Sequence, residues 1–298
     1  MPSFLRGALA LLLLVLNTLV WSLPVFAGAL LKLALPFPAV RRRVDPVLNA
    51  FANGWVACNS GWMHLAQPTR WDVEGLAGLR AGAWYLVNCN HQSWVDIFVL
   101  QHVLRGRIPL LKFFLKQQLI YVPVIGLAWW ALDFPFMKRH GKDKLRKRPE
   151  LRSEDHAAAL RACRKFSLVP TSVMNFAEGT RFTPRKREAQ ASPYRHLLKP
   201  RAGALALTLQ AMGGQFRCML DATIVYPGGV PTFWDFLCGR VPRVVVRVRQ
   251  VPIPAEFTAR DYAADPQFRR AFGRWLTALW EDKDREVEAL LQGAGSRA

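Results

Sequence analysis

The chain has 298 residues, enough for one large domain or two small ones. Hydrophobic residues make up 51% of it and charged residues 21%, which points to a folded domain that also touches a membrane. The formal net charge of +20 calls for an anionic partner, whether lipid headgroups, nucleic acid or an acidic protein. The five cysteines (Cys58, Cys89, Cys163, Cys218, Cys238) have no metal-ligand spacing and favour reduced thiols in a cytosolic compartment.

No charged residue occurs in the 25 positions between Arg6 and Lys32. A helix of that length is roughly 37 Å long, against a hydrocarbon core of about 30 Å. Pro24 would kink or break such a helix, and Asn17, Thr18 and Ser22 are polar near its middle. A straight span and a broken helical hairpin lying in one leaflet both satisfy this pattern. Residues 1–44 are therefore expected to form a membrane anchor, and 45–298 the main domain. Lys32, Arg41, Arg42 and Arg43 follow the apolar run and favour a cytoplasmic continuation. The competing reading is a secretory signal peptide cleaved near Ala27-Gly28-Ala29.

Residues 45–70 carry Val47, Leu48, Phe51, Trp55 and Met63 near helical spacing. Trp71 to Leu76 reads as a short strand and turn. Trp84-Tyr85-Leu86-Val87 is a buried strand between Gly82 and Asn88. Ser93 to Leu104 is mostly apolar and starts with a residue able to cap a helix. His91 thus sits where a strand hands over to a helix, with Asp96 five residues on. On one regular helix that spacing is roughly 140° around the axis, so the two side chains would not meet. They meet only if His91 precedes the helix and Asp96 lies in its first turns. An imidazole held by a carboxylate through its other nitrogen is a general base near neutral pH.

Ile108 to Lys116 reads as a strand ending in a lysine. Leu119 to Leu132 is apolar for 14 residues, too short for a span; a membrane-interface segment and a buried core helix are both compatible with it. Lys138 to Arg152 is a basic run, solvated or set against anionic lipid. Glu154 to Leu168 is expected to be a helix and Thr171 to Asn175 a strand. The latter leads into Glu178-Gly179-Thr180-Arg181. A basic loop, Pro184 to Ser192, precedes a helix through Met212. Ala222 to Pro227 reads as a strand, and Arg243 to Val251, with Arg247 and Arg249 alternating with valines, as an edge strand. Residues 265–292 form a long amphipathic helix, read as packing.

Asn90-His91-Gln92-Ser93-Trp94-Val95-Asp96 together with Phe176-Ala177-Glu178-Gly179-Thr180-Arg181 resembles the glycerophospholipid acyltransferase family, which includes lysophosphatidic acid acyltransferases. The resemblance runs from about Val73 to Pro227. Asp133 to Arg139 is similar to a bacterial branch related to lysocardiolipin acyltransferases. The fold implied is α/β, a mixed central sheet flanked by helices, behind an N-terminal hydrophobic membrane helix or hairpin. The reaction implied moves a fatty acyl group from a coenzyme A or acyl carrier protein thioester to the hydroxyl of a lysophospholipid acceptor. His91 would be the general base and Asp96 its orienter. Arg181 would bind the acceptor phosphate, helped by Lys116 or Arg139, which match the family's basic positions. Glu178 would bind an acceptor hydroxyl or hold Arg181, Gly179 would allow the turn that carries Thr180 and Arg181, and Lys199 would assist.

The resemblance implies no metal and no redox cofactor. Ser93 stands close to His91, but no Gly-x-Ser-x-Gly elbow accompanies it, so a covalent serine is not expected. The start of the helix after His91 is a candidate source of oxyanion donors. No helix-turn-helix, zinc-finger or RNA-binding motif supports nucleic acid as a partner. The partners expected are membrane phospholipids, the acceptor and the thioester donor, at the inner membrane with the catalytic domain facing the cytoplasm. A remodelling acyltransferase for another lysophospholipid, or a non-catalytic basic lipid binder, are the alternatives.

Overall fold

The computed structural model describes residues 2–137 and 165–295 except 259 and 263, together with 157, 160, 161 and 163. The uncharged N-terminal run folds as α1 (Ser3–Ala34), and Pro24 does not break it. The hairpin that does form pairs α1 with α2 (Pro38–Ala66), across the short link at 35–37. Pro38 occupies the first turn of α2, where its missing N–H costs nothing. The expected boundary at 44/45 falls inside α2.

The polar residues of α1 turn toward α2. Asn17 Nδ2 donates to Trp55 O (2.9 Å) and Asn59 Oδ1 (2.8 Å), and Trp55 Nε1 donates to Thr18 Oγ1 (3.0 Å). Ser22 donates back to Thr18 O within the helix (2.6 Å). Lys32 is buried and lies 2.7 Å from Asp45 Oδ1 and 2.8 Å from Asp133 Oδ2, which ties α1 to α2 and to the chain beyond. Leucines on the remaining faces of α1 (Leu12, Leu16, Leu19, Leu23, Leu30) stay exposed.

The central sheet contains β1 (Arg70–Glu74), β2 (Trp84–Cys89), β3 (Leu111–Phe113), β6 (Ser172–Phe176), β7 (Phe216–Val225) and β8 (Arg243–Val251), in the order β1-β8-β7-β2-β6-β3. Only the β7–β8 pair is antiparallel, so the sheet is mixed. The expected strand at 108–116 divides into β3 and β4 (Leu115–Lys116), and β4 pairs with β5 (Phe136–Met137) in a separate two-stranded sheet. The apolar segment after it contains the end of a 3-10 turn (Gln117–Tyr121) and a short helix, α4 (Ile125–Ala131), preceding Asp133.

The Arg243–Val251 strand is not an edge. It lies between β1 and β7, and its arginines find carboxylates there. Asp72 takes Arg243 and Arg247, with Arg247 also reaching Glu74 (3.1 Å), and Asp221 takes Arg249 (2.8 Å). Alternating charge mimicked a solvent-facing strand because the counter-charges are distant in sequence.

Alternate residues of β2 enter different layers, as strand geometry requires. Tyr85 and Val87 pack with Val95, Val99 and Leu220 beneath α3 (Val95–Leu104). Leu86 packs with Met219 on the other face. That face is covered by α6 (Gly203–Met212) and α8 (Pro266–Gly295), which follow a short α5 (Pro184–Ala189) and a short α7 (Phe233–Leu237). α5 stands where a loop was expected. Phe268, Phe272, Leu276 and Val287 of α8 are buried, in keeping with a packing helix. Lys283 of α8 is fully buried and reaches Asp221 Oδ1 (3.0 Å), Ala222 O (2.7 Å) and Thr223 Oγ1 (3.0 Å). The basic run at 138–152 and most of the helix expected at 154–168 lie outside the described residues.

Candidate active site

Strands β7, β2 and β6 are adjacent and parallel, with Asn88 level with both Asn175 and Asp221. Their carboxyl ends therefore open on one edge, the place where ligands bind in open α/β sheets. Asn90, fully buried, closes the β2 end onto β7: its amide donates to Ile224 O and accepts from Ile224 N, both at 2.9 Å. His91 follows before the helix, and Asp96 falls in the first turn of α3. His91 Nδ1 lies 2.8 Å from Asp96 Oδ2. A carboxylate only accepts, so the proton sits on Nδ1 and the lone pair of the neutral ring on Nε2.

Asp96 is only 1% exposed. Its Oδ2 also accepts from the amides of Gln92 (2.7 Å) and Ser93 (2.9 Å), and its Oδ1 accepts from the Tyr226 hydroxyl (2.6 Å). The His91 ring stacks on Phe176, centroids 4.0 Å apart and planes 16° apart. Phe113 continues the stack behind Phe176 at 6.5 Å. The His91 main chain is held on both sides, its N–H by Glu178 Oε1 (2.8 Å) and its carbonyl by Phe182 N (2.7 Å).

Two expectations change here. The amides of Gln92 and Ser93 are committed to Asp96, Val95 N to Ser93 Oγ (3.2 Å) and Asp96 N to Ser93 O (3.2 Å). Those amides of the helix start therefore serve Asp96 and Ser93 rather than an oxyanion. Glu178 does not hold Arg181: it is fully buried, and its second oxygen accepts from Leu198 N (2.9 Å). Burial pushes its carboxyl up to about 8, against the lowering effect of the Leu198 and His91 amides. Ser93 donates its hydroxyl to Pro231 O at 2.6 Å, which leaves it engaged in structure.

Gly179 adopts φ +68°, and a Cβ there would stand 3.1 Å from Arg201 Cδ. The positive φ calls for glycine, while the Arg201 side chain would have only to shift slightly. Thr180 Oγ1 accepts from Lys186 Nζ (2.8 Å), which also donates to Arg181 O (2.9 Å). The Arg181 guanidinium lies 5.1 Å over the half-exposed Trp94 ring, so the second motif meets the first. Lys116 is exposed at the end of β4, opposite Met137, and Lys199 is exposed beside Leu198. Arg139 lies outside the described residues. Sequence reasoning did not single out Asn90, Phe176 or Tyr226 for roles, although each adjoins or belongs to a block it had marked. Among the described residues no group of three or more His, Cys, Asp or Glu is placed to hold a metal ion.

The family model for acyltransferases matches residues 70–230. The chain is 27% identical over 192 residues to mouse 1-acyl-sn-glycerol-3-phosphate acyltransferase gamma, covering 61% of this chain and 46% of that one. It is 27% identical over 211 residues to human 1-acyl-sn-glycerol-3-phosphate acyltransferase delta, covering 67% and 51%. The chain thus spans about half the length of these curated relatives. Its fold is similar to that of the 1-acyl-sn-glycerophosphate (LPA) acyltransferase PlsC from Thermotoga maritima, with a TM-score of 0.51 at 16% identity, covering 96% of this chain and 97% of that one. With more than half its length matched by the family model and both motifs gathered at one sheet edge, the chain belongs to the acyltransferase family, among the glycerophospholipid acyltransferases that its motifs resemble.

Proposed function

We propose that this protein transfers a fatty acyl group from a coenzyme A or acyl carrier protein thioester to the sn-2 hydroxyl of 1-acyl-sn-glycerol 3-phosphate, giving phosphatidic acid. The observation that carries this reading is the His91–Asp96 bond of 2.8 Å, which engages Nδ1 and directs the basic Nε2 away from the carboxylate. His91 Nε2 takes the proton as the acceptor oxygen attacks the thioester carbonyl. Asp96 holds the ring and offsets the imidazolium charge. The tetrahedral intermediate collapses with cleavage of the C–S bond, and the leaving thiolate takes the proton back from His91. No protein nucleophile enters, in keeping with the engaged Ser93 hydroxyl. The acceptor phosphate is assigned to Arg181, whose planar guanidinium suits bidentate binding and is braced by Trp94.

The same reading places the protein on the inner membrane with the catalytic domain in the cytoplasm. Among the described residues, α1 is the one helix long and apolar enough to cross a membrane, and only 17% of its most apolar window is buried. Lys32 is paired inside the fold and Arg41 lies 3.8 Å from Asp133, so Arg42 and Arg43, both exposed, are the cations left to favour the cytoplasmic side.

Purified full-length protein in detergent, given acyl-coenzyme A and a mixture of lysolipids, tests the reading by mass spectrometry of products. The expected result is phosphatidic acid with matched release of free coenzyme A. Preferential acylation of a lysolipid with another headgroup would replace this acceptor with a remodelling one.

A further inference from the structure

The Tyr226 phenol is 3% exposed and lies at the end of β7, two residues beyond the Asn90–Ile224 clamp. Its hydroxyl donates to Asp96 Oδ1 at 2.6 Å, a short bond to a charged acceptor. Asp96 Oδ2 carries the other load, His91 Nδ1 with the amides of Gln92 and Ser93. The carboxylate is thus fixed in rotation by donors on both oxygens, and the donor on Oδ1 comes from the neighbouring strand. Asp96 and Tyr226 are 130 residues apart in sequence, so the hydrogen bond crosses between the histidine block and the end of β7.

We propose that Tyr226 is a positioning residue for the acyl transfer, the third member of a Tyr226–Asp96–His91 relay that sets the orientation and basicity of His91. The inference rests on the function proposed above. Burial, reinforced by the Asp96 charge, holds the phenol well above its ordinary pKa, so it remains a protonated donor through the working range. A donor on Oδ1 draws charge from the carboxylate, so Asp96 holds the imidazolium less strongly than it would with Oδ1 bare. The Asp96 plane also decides where Nε2 points. The ionisable groups coupled to this relay are Cys89 at the end of β2, which acts on Tyr226, and Glu178 after β6, on which Asp96 acts; Asp221 on β7 and Lys283 on α8 act in turn on Cys89.

The test is Tyr226→Phe, which keeps the ring and removes only the hydroxyl. In the full-length enzyme kcat should fall roughly tenfold to a hundredfold, with KM for both substrates nearly unchanged. The acid limb of the pH–rate profile should move to higher pH, because Asp96 with one fewer donor favours the charged imidazole. Added to Asp96→Ala, the Tyr226→Phe change should cost less than about twofold, since the tyrosine then has no carboxylate to hold. A histidine-labelled sample followed by NMR reads the same upward movement of the His91 titration without substrate. Unchanged kcat, pH limb and His91 titration in Tyr226→Phe would overturn the proposal while the wild type remained active. A wild type that acylates no lysolipid would instead remove the functional reading, and an unmoved His91 titration would then remove the relay independently.

Discussion

His91 Nδ1 and Asp96 Oδ2 lie 2.8 Å apart, and two main-chain amides bind the same oxygen. Asp96 is therefore surrounded by donors only, with the Tyr226 hydroxyl on its other oxygen. Such a shell accommodates a carboxylate, and on the Oδ2 side it conflicts with a group that must itself donate. The dyad and its supports form a unit that the chain assembles from β2, α3 and β7.

Asp96→Asn should lower kcat by roughly a hundredfold or more. An NH₂ on the Oδ2 side would meet the Gln92 and Ser93 N–H groups, so the amide turns its NH₂ to the Tyr226 hydroxyl, which can accept, and what is lost is the charge that offsets the imidazolium. His91→Ala should lower turnover at least as far. Circular dichroism of each purified variant, beside its rate, separates lost chemistry from lost fold. A His91→Ala enzyme within about threefold of wild type would end the general-base assignment.

Glu178 gives a pH signature. Its folded pKa, about 8, stands above the ordinary carboxylate value of 4.5, chiefly through burial. Between those values the native state holds a proton that the unfolded state has lost, so stability falls as pH rises through this window and levels off above about 8. Glu178→Gln should be less stable throughout, because an amide cannot accept from both the His91 and Leu198 N–H groups. The difference in melting temperature between wild type and variant should narrow from pH 5 to pH 9, a range set by the cited window. A constant difference across that range would show that Glu178 is ionised in the fold throughout.

Local pattern exposed much of the fold and the heart of the site. The run Trp84 to Val87 before His91 and the Ile224–Val225 strand end were legible because buried parallel strands are continuous apolar runs, although the first strand runs on through Asn88 to Cys89. The handover from strand to helix at His91 followed from the apolar run before it and the apolar, cappable stretch after it, and the spacing to Asp96 required it. What stayed hidden depends on contacts between distant segments. Arg247 and Arg249 made their strand read as an edge, whereas it lies inside the sheet with Asp72 and Asp221 beside them. Glu178 was expected to bind an acceptor hydroxyl or to hold Arg181, yet its partners are amides at positions 91 and 198. Pro24 left a straight and a broken helix equally open, and α1, packed against α2, is continuous.

Leu16, Leu19 and Leu23 on the exposed side of α1 should carry membrane binding. Each leucine moved fully out of water is worth about 1.5–3 kcal/mol. Replacing all three with serine should reduce partitioning onto vesicles by at least roughly a hundredfold at high salt, since 1.4 kcal/mol is about a factor of ten. Arg42→Glu with Arg43→Glu should weaken binding to anionic vesicles mainly at low salt, where those charges are unscreened. Sedimentation with vesicles measures both. Unaltered partitioning of the triple serine variant would place the lipid contact elsewhere on the surface.

Arg181 stands at the junction of the two motifs, stacked over Trp94 and with its carbonyl held by Lys186. Among the described residues no carboxylate pairs with it, so its guanidinium charge is available to a ligand. A phosphomonoester carries up to two negative charges, and hydrogen bonds to a charged group contribute about 1.5–3 kcal/mol each. Arg181→Ala should therefore weaken use of the phosphate-bearing acceptor by roughly ten- to a hundredfold and leave thioester binding largely intact. Arg181→Lys should recover only part of the loss, because lysine keeps the charge but neither the fork nor the stack on Trp94. Trp94→Leu should fall between wild type and Arg181→Ala, since it removes the surface that orders the guanidinium while leaving the charge. Acceptor and donor kinetics for the three variants in one detergent decide the matter. If Arg181→Ala loses donor affinity and keeps acceptor affinity, Arg181 faces the thioester, and the phosphate passes to Lys116 and Arg139.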